Sequence, residues 1–198
     1  LLFVGIGLLR PSPLYAANSE AALAQTYVPR LEQLLIENIA PFWYDKSLDR
    51  EHSGYIINFG PEGQSRGPGT KMIVSQARMV WLFSRLARAG YGRTENLEAA
   101  ELGYTTLTEK RWAAEHGGFY WEVDATGDRV LKPRKHLYGQ SFALYAISEY
   151  YRASTDREVL DFATKFFNVL EKNAHDSVHG GYFESFEPDW TPTAADEN

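Results

Sequence analysis

Cysteine is absent from the 198 residues. That excludes disulfides, thiolate nucleophiles, Cys-ligated zinc and lipidation of an N-terminal Cys. Chemistry must therefore come from carboxylates, His, Tyr or Arg. Three of the five histidines fall in similar surroundings: Glu51-His52-Ser53-Gly54-Tyr55-Ile56, Glu115-His116-Gly117-Gly118-Phe119-Tyr120 and Val178-His179-Gly180-Gly181-Tyr182-Phe183, with the histidines 64 and then 63 positions apart. A metal site would need them together, whereas positions one repeat apart lie far from each other. A turn-building role is expected, and no metal site. Arg78 lies in a stretch that is apolar on both sides, where an unpaired buried guanidinium is costly. It must hold a polar ligand or a structural ion pair. Phe119, Tyr120 and Trp121 alternate on a short strand, so one face can line a cleft, and flat apolar rings suit sugars. Glu122 with Asp124, Glu184 and Asp189 are the carboxylates to weigh. Glu122 and Asp124 read as turn-capping groups, and a glycoside hydrolase would need two carboxylates facing each other across a cleft.

The turns that carry these residues are joined by helices. The first helix, about Ser19 to Tyr44, shows a stripe of Leu23, Tyr27, Leu31, Leu34, Leu35, Ile39 and Phe42 opposite Gln25, Arg30, Glu32, Gln33 and Glu37. That pattern is an outward-facing amphipathic helix. The second, about Thr70 to Ala89, is apolar on opposite sides and should be buried on both flanks, with Arg78 opposite the Met72, Met79 and Phe83 face. Glu95 to Trp112 is one-sided again, Lys135 to Tyr151 is apolar nearly all round, and Asp156 to Asn173 returns to a one-sided pattern. Tyr138 opens the fourth helix and its hydroxyl can donate to an oxygen. His136 is expected to point elsewhere, because successive helical residues are 100° apart. A fixed period with alternating outer and inner helices marks stacked hairpins, and the expected class is all-α, part of an α/α toroid with short β segments at the rim turns. Five helices do not close such a ring, so truncation is expected at the C-terminus. The loop from Phe59 to Thr70 is rich in Gly and Pro, lacks the Lys-Ser/Thr ending of a phosphate-binding loop, and suits a lid.

The formal net charge of −6 with no basic cluster argues against nucleic acid or anionic membrane as partner. Leu1 to Leu9 is apolar but too short to span a bilayer. With Pro11, Pro13 and Ala16-Ala17 it reads as a remnant secretory signal over residues 1–17 whose basic start and Met are missing. The expected organisation is that segment followed by one domain over 18–198, with a secreted or periplasmic location.

Ser75-Gln76-Ala77-Arg78-Met79-Val80-Trp81, then His116-Gly117-Gly118-Phe119-Tyr120-Trp121-Glu122-Val123-Asp124, then Lys135-His136-Leu137-Tyr138-Gly139-Gln140-Ser141-Phe142-Ala143, and finally Gly180-Gly181-Tyr182-Phe183-Glu184 leading to Asp189-Trp190, resemble the N-acylglucosamine 2-epimerases and cellobiose 2-epimerases. The motifs cover about residues 25–192 in family order. The resemblance implies the N-terminal half of an (α/α)6 barrel and a mono- or disaccharide substrate epimerised at C2, without cofactor. It implies sugar contacts from Arg78, Tyr138 and Asp189, joined by some of Phe119, Tyr120 and Trp121. The acid/base pair is implied to be two histidines of the second half, the first on a helix that begins just after residue 198, leaving these residues alone inactive; an Asn-x-His-Leu-His-like stretch soon after that residue would favour the epimerase. An aldose–ketose isomerase, a secreted (α/α)6 glycoside hydrolase and a non-enzymatic carbohydrate-binding fragment are the alternatives. A homodimer is the assembly to test.

Overall fold

A computed structural model of the chain describes residues 13–193. Most of the signal-like segment therefore lies outside the described residues. Helix α1 (Pro13–Leu34) runs through a π-helical turn (Leu35–Ile39) into α2 (Ala40–Ser47). The helix begins earlier than the pattern predicts and is interrupted where the ladder takes in one extra residue. Its apolar stripe is solvent-facing: Leu23, Tyr27, Leu31 and Leu34 are all about half exposed or more. The described residues up to Phe42 form one compact unit and those from Trp43 onward another, and everything below concerns the second.

Here α3 (Ile73–Ala89), α4 (Arg93–Lys110), α5 (Leu137–Ser154) and α6 (Arg157–Ala174) form two successive hairpins. Helix α3 packs on α4 and α5, and α5 packs on α6. The ends follow local chemistry. Gly90, at φ 89°, closes α3 with N–H bonds back to Ala87 and Leu86, and Asp156 caps α6 by accepting from the Glu158 N–H at 2.9 Å. Small residues set the α3–α4 approach: Ala77, Ala99, Ala100 and Gly103 are buried, and a Cβ on Gly103 would overlap the Tyr55 phenol. Burial of the inner helices on both flanks is not found. The flank of α3 and α5 away from the outer helices keeps Arg78, Tyr138 and Tyr145 exposed, because no element among the described residues covers it.

The three histidine turns are built alike. In the first, Asp49 donates its N–H to the Gly54 carbonyl and Ile56 to Ser47. The second repeats this with Ala113 to Gly118 and Tyr120 to Arg111, the third with Asp176 to Gly181 and Phe183 to Ala174. Two consecutive residues are left-handed in each: Ser53 and Gly54, Gly117 and Gly118, Gly180 and Gly181, all with φ between 70° and 78°. Glycine adopts this freely, whereas Ser53 does so at a cost. The histidine rings do not cap the turns; Asp49 Oδ1 and Asp176 Oδ1 do, accepting the N–H of His52 and of His179.

Strands β1 (Lys71–Met72), β2 (Glu122–Val123) and β3 (Val130–Lys132) form one small antiparallel sheet, while β4 (Lys135–His136) pairs with β5 (Ser185–Phe186). Each strand before an inner helix thus pairs with the strand after the next turn, and the Ile73 and Leu137 amides extend the pairing to the Trp121 and Glu184 carbonyls. The Phe59–Thr70 loop folds back on itself through Gly60 N–H to Gln64 O and Arg66 N–H to Asn58 O.

Candidate functional site

The exposed flank of α3 and α5 carries two adjoining clefts, each about 800 Å³ (780 Å³ and 790 Å³). In the first, the Arg78 guanidinium lies 5.8 Å from the centre of the Phe142 ring, a cation–π contact, beside Trp81 and Tyr145, whose rings stack at 5.3 Å and 16°. Among the described residues Arg78 forms no ion pair. The structural pairing that the sequence left open belongs instead to Arg88 and Arg152, which both reach Glu149. Arg78 therefore offers free donors to the cleft.

The second cleft is lined by Trp121, Arg134, His136, Tyr138, Glu184 and Glu187, with the β3 end as its floor. Tyr138 is 53 % exposed and meets Phe142 edge-on at 5.0 Å, so this ring pair joins the two clefts. His136 was expected to face away from Tyr138. It lines the same cleft, 4.6 Å from the Trp121 ring and with Nδ1 4.0 Å from Glu184 Oε1. The reason is local: His136 is the last residue of β4, at φ −118°, and the helix starts one residue later, so helical geometry does not apply to it.

The other candidates separate. Tyr120 and Trp121 are half-buried, whereas Phe119 is fully buried, packed against Trp112 at 5.2 Å and Phe166 at 4.9 Å. It has no surface to give a sugar, which corrects the expectation for that residue: Phe119 pairs with Trp112 and its ring packs on α6, and the chain bends at Trp121 before β2 begins, so the Phe119 and Trp121 rings do not share a face. Asp189 is exposed, but its carboxylate accepts the Thr191 N–H at 2.9 Å, and this bond holds it below the usual Asp range. Trp190 is buried beneath, donating from Nε1 to the His116 carbonyl at 2.9 Å. Glu122 is paired with Lys132 at 2.7 Å and accepts from Thr70; the Lys132 bond, more than any other cause, lowers its pKa. Asp124 accepts from Thr126, Gly127 and Arg129 in its own turn. Glu187 pairs with Arg134 at 2.8 Å. Glu184 is thus the acidic group lining the cleft that has no Lys or Arg partner among the described residues.

Two glutamines carry a role that the sequence did not disclose. Gln76 accepts the Tyr55 N–H at 2.9 Å and donates to its carbonyl at 2.8 Å; Gln140 does the same to Phe119, at 2.9 and 2.8 Å. Each clamps the turn before its helix and fixes where Trp121 and Arg78 stand. The signal was there: the two lie 64 positions apart, the spacing of the histidine turns.

The family model described as N-acylglucosamine 2-epimerase (GlcNAc 2-epimerase) matches residues 54–198. The chain belongs to that family. A cellobiose 2-epimerase from Dictyoglomus turgidum is 37 % identical over 158 residues, covering 80 % of this chain and 39 % of its own length. The structure of cellobiose 2-epimerase from Spirochaeta thermophila superposes with a TM-score of 0.80 at 34 % identity, covering 87 % of this chain and 42 % of its own. A D-mannose isomerase from Marinomonas mediterranea is 28 % identical over 156 residues, covering 78 % of this chain and 38 % of its own length. The chain thus spans about two-fifths of the length of these relatives. The helix hairpins, with their short rim strands, are those of the (α/α)6 toroid of the epimerase structures.

Proposed function

We propose that this chain forms one sugar-binding wall of a sugar 2-epimerase that works by deprotonation and reprotonation at C2. The observation that carries the reading is Arg78: a cation without a counter-ion, held over Phe142 on the open flank of an epimerase-family hairpin. A C2 proton is weakly acidic, so its removal needs a base together with donors that stabilise negative charge growing on O1 and O2. Arg78 supplies such donors, and the Tyr138 hydroxyl a further one. Trp121 and Tyr120 offer ring faces to the sugar. Asp189 supports the wall through its turn, while the proton-transfer pair is assigned to the part of the relatives that this chain does not span.

The relative named as D-mannose isomerase favours a second reading, aldose–ketose isomerisation. The two reactions share the enediolate and differ in where the proton returns. The apolar run Leu1–Leu9 ahead of Ala16-Ala17 supports export, tested by sequencing the N-terminus of the mature secreted protein.

Incubation of the intact protein in D2O with cellobiose, N-acetylmannosamine or mannose should place deuterium at C2, read by NMR. Absence of exchange with all three sugars would sink the mechanism. Arg78→Met should lower kcat/KM about 100-fold or more, in line with the loss of one charged transition-state donor. Because Arg78 is exposed, folding stability should change by less than about 0.5 kcal/mol. The 198 residues by themselves should show no turnover.

A further inference from the structure

Arg129, Arg134 and Arg157 each have a carboxylate of their own: Asp124 at 3.7 Å, Glu187 at 2.8 Å and Asp161 at 3.3 Å. At the C-terminal ends of α3 and α5, by contrast, three arginines share one carboxylate. Arg88 donates from Nε to Glu149 Oε1 at 2.6 Å, Arg152 donates from Nη1 to Oε2 at 3.1 Å, and Arg85 Nη1 stands 3.9 Å from Oε1. Three positive charges against one negative leave a surplus of two. Helix ends account for part of it. Arg88 and Arg152 lie in the last turns of α3 and α5, where a cation meets the negative end of the helix dipole. Arg85 precedes the last turn and has no such reason to be there.

This cluster is separate from the sugar clefts. Arg85 lies seven residues beyond Arg78, two helical turns and about 10 Å further along the same face of α3. Between the two, Trp81 and Tyr145 stack across the helices. The Glu149 side chain is 7 % exposed, whereas those of Arg85 and Arg152 are 48 % and 57 % exposed. A buried carboxylate thus fixes the guanidiniums from beneath. Arg88 spends its Nε on Glu149 and Arg152 its Nη1, so most of their five N–H donors each are left over. Close like charges repel, and a ligand of opposite charge relieves them.

We infer that Arg85, Arg88 and Arg152 form a binding site for a phosphate group, carried either by inorganic phosphate or by a small phosphate ester. Charge selects this ligand: a phosphate group carries close to two negative charges at neutral pH, which matches the surplus, whereas a carboxylate ligand carries one. Donor geometry selects it as well, because guanidinium forks pair bidentately with phosphate oxygens. Arg93 donates to the Ala153 carbonyl at 3.3 Å and brings a fourth guanidinium to the same end of α5. The site goes beyond the sugar-binding wall, and its test requires no turnover.

The test titrates the intact protein by calorimetry with inorganic phosphate and, separately, with glycerol phosphate, at constant ionic strength and about pH 7.5, where both are mainly dianions. Saturable binding of one or both is expected, and the tighter of the two names the source. Arg85→Gln with Arg152→Gln should weaken binding about 10-fold or more, through the loss of two charge-assisted donors. Arg88 remains in that variant to answer Glu149. Arg85→Gln alone, which keeps both bonded arginines, should already give part of the loss. Arg78→Met should bind phosphate as the parent does. Binding that is unchanged in both Arg85 variants, or that disappears with Arg78, overturns the inference. So does the absence of saturable binding, or equal competition by chloride at the same ionic strength.

Discussion

Lys71 and Lys135 lie 64 positions apart, each opening the short strand before an inner helix, and each with no exposed surface. The first is answered by charge: its ammonium contacts Asp49 and the Ser53 carbonyl. In the second repeat Ala113 occupies the place of Asp49. There the ammonium donates to the Pro188 carbonyl and lies 5.3 Å from the centre of the Trp190 ring and 5.9 Å from that of Tyr120. Burial lowers both lysines, Lys135 to about 8. The first two turns thus each stand over a buried cation, answered in one by a carboxylate and in the other by aromatic faces with a carbonyl. An identical backbone does not imply an identical electrostatic solution.

Removing the counter-ion tests that contrast most severely. Asp49→Ala should cost about 3–5 kcal/mol in denaturant unfolding, because it leaves a buried ammonium without its pair. A loss under about 1 kcal/mol would mean that Lys71 is as self-sufficient as Lys135. Next in size are Gln76→Leu and Gln140→Leu. Each leaves a buried N–H and a buried C=O unpaired, at about 2–4 kcal/mol, and the two losses should match, since the clamps have matching geometry. A large inequality would show that the turns differ in more than their lysines. The smallest effect is on pH dependence. The folded value for Lys135 lies below its ordinary 10.5, so above about pH 8 the unfolded chain holds more protons than the folded one and stability rises with pH. Below about pH 8 the penalty is present in full. Urea midpoints should therefore rise from pH 7.5 to 9.5 in the wild type and less steeply in Lys135→Met; parallel slopes would remove Lys135 as the cause. The window stops short of pH 10, where tyrosines raised by burial, Tyr55 and Tyr150, begin to act in the opposite sense.

Much of this arrangement was legible in the residues. The 64- and 63-residue spacing located three turns that share their hydrogen bonds, and hydrophobic periodicity separated inner α3 and α5 from outer α4 and α6. What escaped did so for physical reasons. Gln76 escaped because hydrophobic periodicity weighs polarity and not hydrogen-bond direction. His136 was turned away by helical geometry although it belongs to a strand. Phe119 was offered to a cleft because alternation was extended over residues 119–121, whereas the chain bends at Trp121 and the strand begins only at Glu122. Burial on both flanks was expected of α3, since pattern registers which side chains are apolar and not whether another element arrives to cover them. Arg78 could be singled out in the sequence because a cation in an apolar stretch is a conflict that only a few arrangements resolve.

Trp190 gives the molecule an optical consequence. Its indole is buried at φ 72°, fixed by the bond to His116, and has the Lys135 ammonium near its ring. A charge beside an excited indole shifts the colour of its emission, and here that charge comes and goes with the protonation of one lysine. Subtracting the emission of Trp190→Phe from that of the parent chain, which has five tryptophans, should therefore isolate a band that shifts as Lys135 loses its proton.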